Sequence, residues 1–114
     1  MRVNGGLGAS LAEEDGGVRA SLVGEIDPAT APVLRRALGD AITGSAGDVT
    51  IDLAGVAFID CAGVRELMLA SSRLDATGRR VVVSHPQGPV ARVLALCEVD
   101  GLPNVEIGEG CDVG

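Results

Sequence analysis

The spacing of hydrophobic and polar positions changes several times along the chain, and each change marks an element. Leu7 to Glu14 reads as a weak edge strand. Asp15-Gly16-Gly17 reads as a hairpin turn, with glycines where positive φ is needed. From Val18 to Ile26 the period is two. Val18, Ala20 and Leu22 fall on one side, Arg19 and Ser21 on the other, and Gly24 marks a bulge. Asp27-Pro28-Ala29-Thr30 then turns the chain into a helix. Either Asp27 or Thr30 suits the N-cap, and Pro32 in the first turn favours Thr30. Val33, Leu34, Ala37, Leu38, Ala41 and Ile42 recur at helical spacing until Gly44.

The chain is organised around residues 49–63. Val49, Ile51 and Leu53 predict a short buried strand; Gly55 breaks it, and Val56 to Ile59 is a second apolar segment. Asp60, Cys61, Ala62 and Gly63 lead into a helix over about Ala62 to Ala76. Its inner stripe is Val64, Leu67, Met68, Ser71 and Leu74. Leu69 falls on the opposite face, beside Arg65, Glu66 and Arg73. Gly78 ends this helix, and Arg80 to Ser84 is a Val-rich strand. His85 to Pro89 is a loop before a third helix, with Val90, Val93, Leu94 and Cys97 at i, i+3, i+4, i+7. Val105 to Ile107 is a last short strand. The pattern predicts one α/β domain over residues 7–107, with flexible ends at 1–6 and 108–114. Its sheet is mixed and four- to five-stranded, with an N-terminal antiparallel hairpin and helices packed on it.

Composition narrows the functional classes. The chain has 114 residues, 46% of them hydrophobic, and a single aromatic, Phe58, so the core is aliphatic and no base-stacking platform exists. The net charge is −7 and all nine basic residues are Arg, which disfavours nucleic acid as a partner. No apolar run reaches membrane-spanning length and the start lacks a signal-peptide core, so a cytoplasmic protein without a membrane partner is expected. Three cysteines without C-x-x-C spacing argue against a disulfide framework and against zinc. Glu13-Glu14-Asp15 reads as a solvated charge cluster rather than a metal site. His85 stands alone, with no nucleophile placed near it by sequence. No enzyme activity, cofactor or metal is expected.

Chemistry concentrates where a strand delivers a polar loop to a helix N-terminus. Four backbone N–H groups there lack intrahelical partners, which suits an anion, a reactive thiol or a docking partner. Asp60 is placed to cap the helix and also to meet a partner. Cys61 reads either as a neutral loop residue or as a redox handle. Cys97 lies on an inner stripe and reads as a structural thiol. A Cys61–Cys97 bridge is opposed by geometry. A ten-residue helix is about 15 Å long, whereas a disulfide needs Cα atoms within about 7 Å. Cys111, on the tail, is the easier partner for Cys61. Leu69, exposed among charged residues, suits a binding anchor.

Three spaced blocks carry a family signature: Val23-Gly24-Glu25-Ile26-Asp27, Asp52 through Val64, and Gly78-Arg79-Arg80-Val81. Together they resemble a STAS domain, and more narrowly the single-domain bacterial anti-sigma factor antagonists. The resemblance implies a mixed sheet covered by helices. It also implies binding to an anti-sigma factor, usually a serine kinase, so that a sigma factor is released. The family usually shows Asp-Ser-Ser/Thr-Gly at the loop, with the second hydroxyl phosphorylated. Here the first position is Cys61 and the second is Ala62, whose methyl cannot accept a phosphoryl group. The expected docking surface comprises Asp27, Thr30, Asp60, Cys61, Ala62, Gly63, Arg65, Glu66, Leu69 and Arg73. Rival expectations are a small-ligand or nucleotide-sensing module and a subunit of a stress-signalling assembly. The oligomeric state stays open.

Overall fold

The computed structural model describes residues 6–108; Cys111 and the two expected flexible ends, Gly6 and Gly108 apart, lie outside them. The strands are β1 (Leu7–Glu14), β2 (Gly17–Ile26), β3 (Val49–Ile59), β4 (Val81–Ser84) and β5 (Val105–Ile107). The helices are α1 (Ala31–Thr43), α2 (Cys61–Asp75) and α3 (Gly88–Leu96), with a 3-10 turn at Val99–Gly101 that the periodicity did not predict. One five-stranded sheet has the order β1-β2-β3-β4-β5. β1 runs antiparallel to β2, and the other neighbours are parallel. The α/β architecture and the N-terminal hairpin are those expected. Asp15 and Gly16 adopt the left-handed conformations (φ 49° and 83°) that a two-residue hairpin turn demands.

Each parallel strand lies beside its predecessor in the same direction across the sheet. Right-handed crossovers then carry the helices to one face. Burial follows that arrangement. Val49, Ile51, Leu53, Val81 and Val83 are sealed under the helices, while Thr50, Asp52, Val82 and Ser84 on the other face are half-exposed. On that open face Arg19 donates to Glu14 at 3.1 Å, Asp52 at 3.2 Å and Ser84 at 3.4 Å, tying four strands together.

Four expectations are corrected. Gly55 does not break the strand, because β3 runs unbroken for 11 residues and absorbs the irregularity as register shifts against β2. Its inward residues are therefore Val49, Ile51, Leu53, Val56 and Ile59, and Phe58 turns outward. Val33 is not a core residue; it is exposed beside the β1 edge, where no further layer covers it among the described residues. Glu66 does not share the exposed face of Leu69. It turns towards α1, is only 5% exposed, and its carboxylate accepts from Arg35 Nε at 3.1 Å and Nη2 at 2.8 Å. Met68 and Cys97 are half-buried rather than sealed in the core.

Two packing devices hold the helices in place. Arg79 donates to the carbonyls of Ile42 at 3.1 Å, Ser45 at 2.8 Å and Gly47 at 2.8 Å, satisfying the C-terminal end of α1 and the loop after it. Gly63, in the first turn of α2, lies against the strand ends. A methyl placed on it would fall on Ile26 Cγ2 and Ile59 Cγ1. We predict that Gly63→Ala destabilises the fold by about 1–3 kcal/mol in urea denaturation. Gly39→Ala, on α1, meets only Arg73 Nη1 at 3.8 Å. It is expected to leave stability unchanged or raise it by about 0.5–1 kcal/mol.

Candidate functional site

The site is built where β2 and β3 end side by side. The Asp60 N–H donates to the Ile26 carbonyl at 3.1 Å, so the turn after β2 and the loop after β3 are joined directly. In the first turn the Thr30 N–H donates to Asp27 Oδ1 at 3.0 Å, and the Asp27 N–H donates to Thr30 Oγ1 at 2.9 Å. The Thr30 hydroxyl also donates to the Glu25 carbonyl at 2.8 Å. Thr30 holds the N-cap position, yet its side chain makes no cap bond to the helix. Neither side chain reaches the N–H groups of α1: Asp27 and Thr30 bond each other inside the turn, so the two N-cap candidates of the sequence fix the turn instead.

In the second loop Asp60 is an N-cap in the extended conformation. Its Oδ1 accepts from the N–H groups of Ala62 at 2.9 Å and Gly63 at 3.4 Å. With those donors occupied, Asp60 itself fills the anion site that the bare helix end would offer. Cys61 is exposed and free. From it an outward row climbs α2 at intervals of four: Cys61, Arg65, Leu69 and Arg73, all exposed. Leu69 is 53% exposed. Neither Arg65 nor Arg73 forms an ion pair among the described residues. Beside the row, Arg35, Leu38, Ile42, Glu66 and Leu69 line a cleft of about 290 Å³ between α1 and α2. The Glu66 carboxylate hydrogen-bonds the Arg35 guanidinium and adds its charge, which holds that group above its ordinary value.

The family model described as "Mlab, STAS domain" matches residues 9–106. The chain belongs to the STAS domain family. Solved structures agree in fold. An anti-sigma factor antagonist from Mycobacterium paratuberculosis is 28% identical, with a TM-score of 0.73, over 88% of this chain and 85% of that one. The anti-sigma factor antagonist SpoIIAA in its unphosphorylated form is 20% identical, TM-score 0.73, over 90% and 89%. The Bacillus cell fate determinant SpoIIAA in its phosphorylated form is 19% identical, TM-score 0.67, over 90% and 92%. No curated protein sequence matches the chain significantly.

The STAS fold brings some of the expected residues together and withdraws others. Asp27, Asp60 and Ala62 are half-exposed, and Cys61, Arg65, Leu69 and Arg73 are exposed. Thr30, Gly63 and Glu66 are buried, engaged respectively in the turn, the helix–sheet contact and the Arg35 pair. They shape the surface without presenting side chains on it. Cys97 is also free, and packs against the core beside α3. Ser71 is occupied internally, its hydroxyl donating to Asn104 Oδ1 at 2.6 Å.

Sequence reasoning missed two apolar residues of the STAS domain at the same strand ends. Phe58 is 47% exposed, and Val23 is exposed on the neighbouring strand. The signal was the change from a spacing of two to a spacing of three after Leu53. Gly55 carries it, but a glycine in a strand also reads as a break. Among the described residues no group of three His, Cys, Asp or Glu is placed to hold a metal ion, and no helix is long and apolar enough to cross a membrane. We predict that Asp60→Ala lowers unfolding stability by about 1 kcal/mol, read in urea denaturation, because two N–H groups lose their acceptor.

Proposed function

We propose that this STAS domain is an anti-sigma factor antagonist. It binds an anti-sigma factor and thereby releases a sigma factor. The observation that carries this reading is the exposed Cys61–Arg65–Leu69–Arg73 row, continuous with the capped Asp60 loop and beside the Asp27 turn. An apolar anchor flanked by two guanidinium groups that form no ion pair among the described residues suits a partner surface that is apolar at its centre and acidic at its rim. The row is basic in a chain of net charge −7, so it stands out electrostatically from the rest of the surface. The similarity to the anti-sigma factor antagonist from Mycobacterium paratuberculosis supports the same role.

The partner is kinase-like, as the family resemblance implies, and this chain offers it Ala62 in place of a hydroxyl. With no acceptor at that position the usual off-switch is lost, and activity is set by abundance or by oxidation of the exposed Cys61 thiol. The ligand-sensing alternative draws less support. The strand order never reverses, so the sheet lacks the switch-point crevice in which open α/β sheets hold nucleotides.

Three measurements test the proposal. Leu69→Asp is expected to abolish binding to the cognate anti-sigma factor in calorimetry while leaving the circular dichroism spectrum unchanged. Retained affinity would refute the docking face. With a kinase-type partner and labelled ATP, the natural chain is expected to take up no phosphate on this loop, and Ala62→Ser to gain it. Binding measured with and without dithiothreitol decides the redox clause, which fails if Cys61→Ser behaves as the natural chain does under both conditions.

A further inference from the structure

The sheet ends at β1, which bonds to β2 on one side only. The parity of the hairpin decides which backbone groups the other side presents. A two-residue turn makes Glu14 and Gly17 a hydrogen-bonded pair, and such pairs alternate along an antiparallel ladder. Ala12, Ser10 and Gly8 therefore spend their N–H and C=O groups on β2. Leu7, Ala9, Leu11 and Glu13 turn theirs outward. The same residues lie opposite Gly24, Leu22, Ala20 and Val18, three of which are buried under the helices, so their side chains stand on the helix-covered face. There Ala9 and Leu11 form a shallow groove of about 270 Å³ with Val33, Arg36, Ala37 and Asp40 of α1. Leu11 is 42% exposed and Val33 41%.

We propose that the chain forms a two-fold homodimer through this edge, with the β1 strands of two copies paired antiparallel about Ser10. The occupant of the groove is then the same groove of a second copy. Three features fit this partner. First, a two-fold at Ser10 sets Ala9 against the partner's Leu11 and Leu7 against the partner's Glu13. All are outward-bonding residues, so every hydrogen bond of the new ladder has a donor and an acceptor. Glu13 also meets Leu7 rather than another carboxylate, which keeps the acidic ends of the strands apart.

Second, α1 lies over β1 and β2 together, inboard of the edge. Pairing adds one strand spacing of about 4.8 Å between the β1 strands. With each helix about half a spacing further in, the two α1 axes stand roughly 10 Å apart, which is the distance at which helices pack. Third, Arg36 and Asp40 lie on the facing side of α1 and form no ion pair within the chain among the described residues. Arg36 and Asp40 border the groove that holds Ala9, Ser10 and Leu11, so a two-fold at Ser10 passes near this pair. Antiparallel α1 helices then set each Arg36 opposite the partner's Asp40. The assembly is a continuous ten-stranded sheet, and the outer row of α2 stays free on each copy.

Sedimentation equilibrium of the full chain over a range of micromolar concentrations tests the proposal, which does not depend on the anti-sigma reading. Twice the monomer mass is expected at the upper end. Leu11→Asp is expected to sediment as a folded monomer. Arg36→Asp is expected to weaken association about tenfold, and the exchange Arg36→Asp with Asp40→Arg to restore it. Restoration also excludes misfolding as the cause of the loss. A natural chain that stays monomeric throughout overturns the proposal, as does a dimer that survives Leu11→Asp. A monomer whose anti-sigma binding is lost in Leu11→Asp also overturns it, by assigning the groove to a different protein.

Discussion

The candidate site depends on how closely the first turn of α2 approaches the ends of β2 and β3. Gly63 is the residue at the contact, and nothing larger than a hydrogen fits between its Cα and the side chains of Ile26 and Ile59. The close approach fixes where the helix begins, and hence where Asp60 must cap it. The same contact brings the Asp60 N–H to the Ile26 carbonyl, which ties the two loops of the site into one unit. A bulkier first turn would lift α2 from the sheet and separate the two turns. The loop is therefore ordered before any partner arrives, so less entropy is lost on association.

The rest of the scaffold braces that contact. The Arg35–Glu66 pair joins α1 to α2 through the second turn of each helix. Glu66 is buried while Arg35 is largely exposed, so the pair works as a lid over a carboxylate that would otherwise be costly to desolvate. Arg79 spans from the end of α2 to the end of α1 and satisfies carbonyls that the helix cannot pair itself. Asn104 does similar work near β5, donating to the carbonyls of Ser71 at 2.9 Å and Arg79 at 3.0 Å. These polar residues are spent on holding elements together. The side chains left exposed without such a task include those on the outer row of α2 and at the strand ends.

The strand order explains the division of surfaces. All crossovers proceed in one direction, so the helices share a face and the sheet keeps an open side crossed by the Arg19 network. Such a sheet has no reversal point and no deep crevice at its carboxyl ends, which favours recognition by an exposed convex surface over enclosure of a ligand. It also leaves two edges. β5 is only three residues long, which limits what can pair with it, whereas β1 offers eight.

Much of this was legible in the chain. Period-two and period-3.6 patterns, the Asp15-Gly16 turn and the Asp60 cap located the regular elements in type and order, with the strand count left at four to five and β3 read as broken at Gly55. These features depend on neighbours in sequence, where propensity, turn chemistry and capping act directly. The family blocks likewise pointed to the STAS fold because they lie at fixed places in it. What local pattern did not decide was which way a residue faces once two elements meet. Glu66 and Leu69 are three positions apart on one helix, and both are compatible with an outer face by sequence. Only the position of α1 buries the first and leaves the second in solvent. Phe58 was hidden by a register shift that arises from pairing with β2, and Val33 by the place of α1 at the β1 edge of the sheet. The sequence by itself determined the elements, their order and the capped loop, because those are set by short-range sterics and hydrogen bonding. The tertiary structure alone decided which charges are braces and which stay exposed, because burial is a property of the assembled layers.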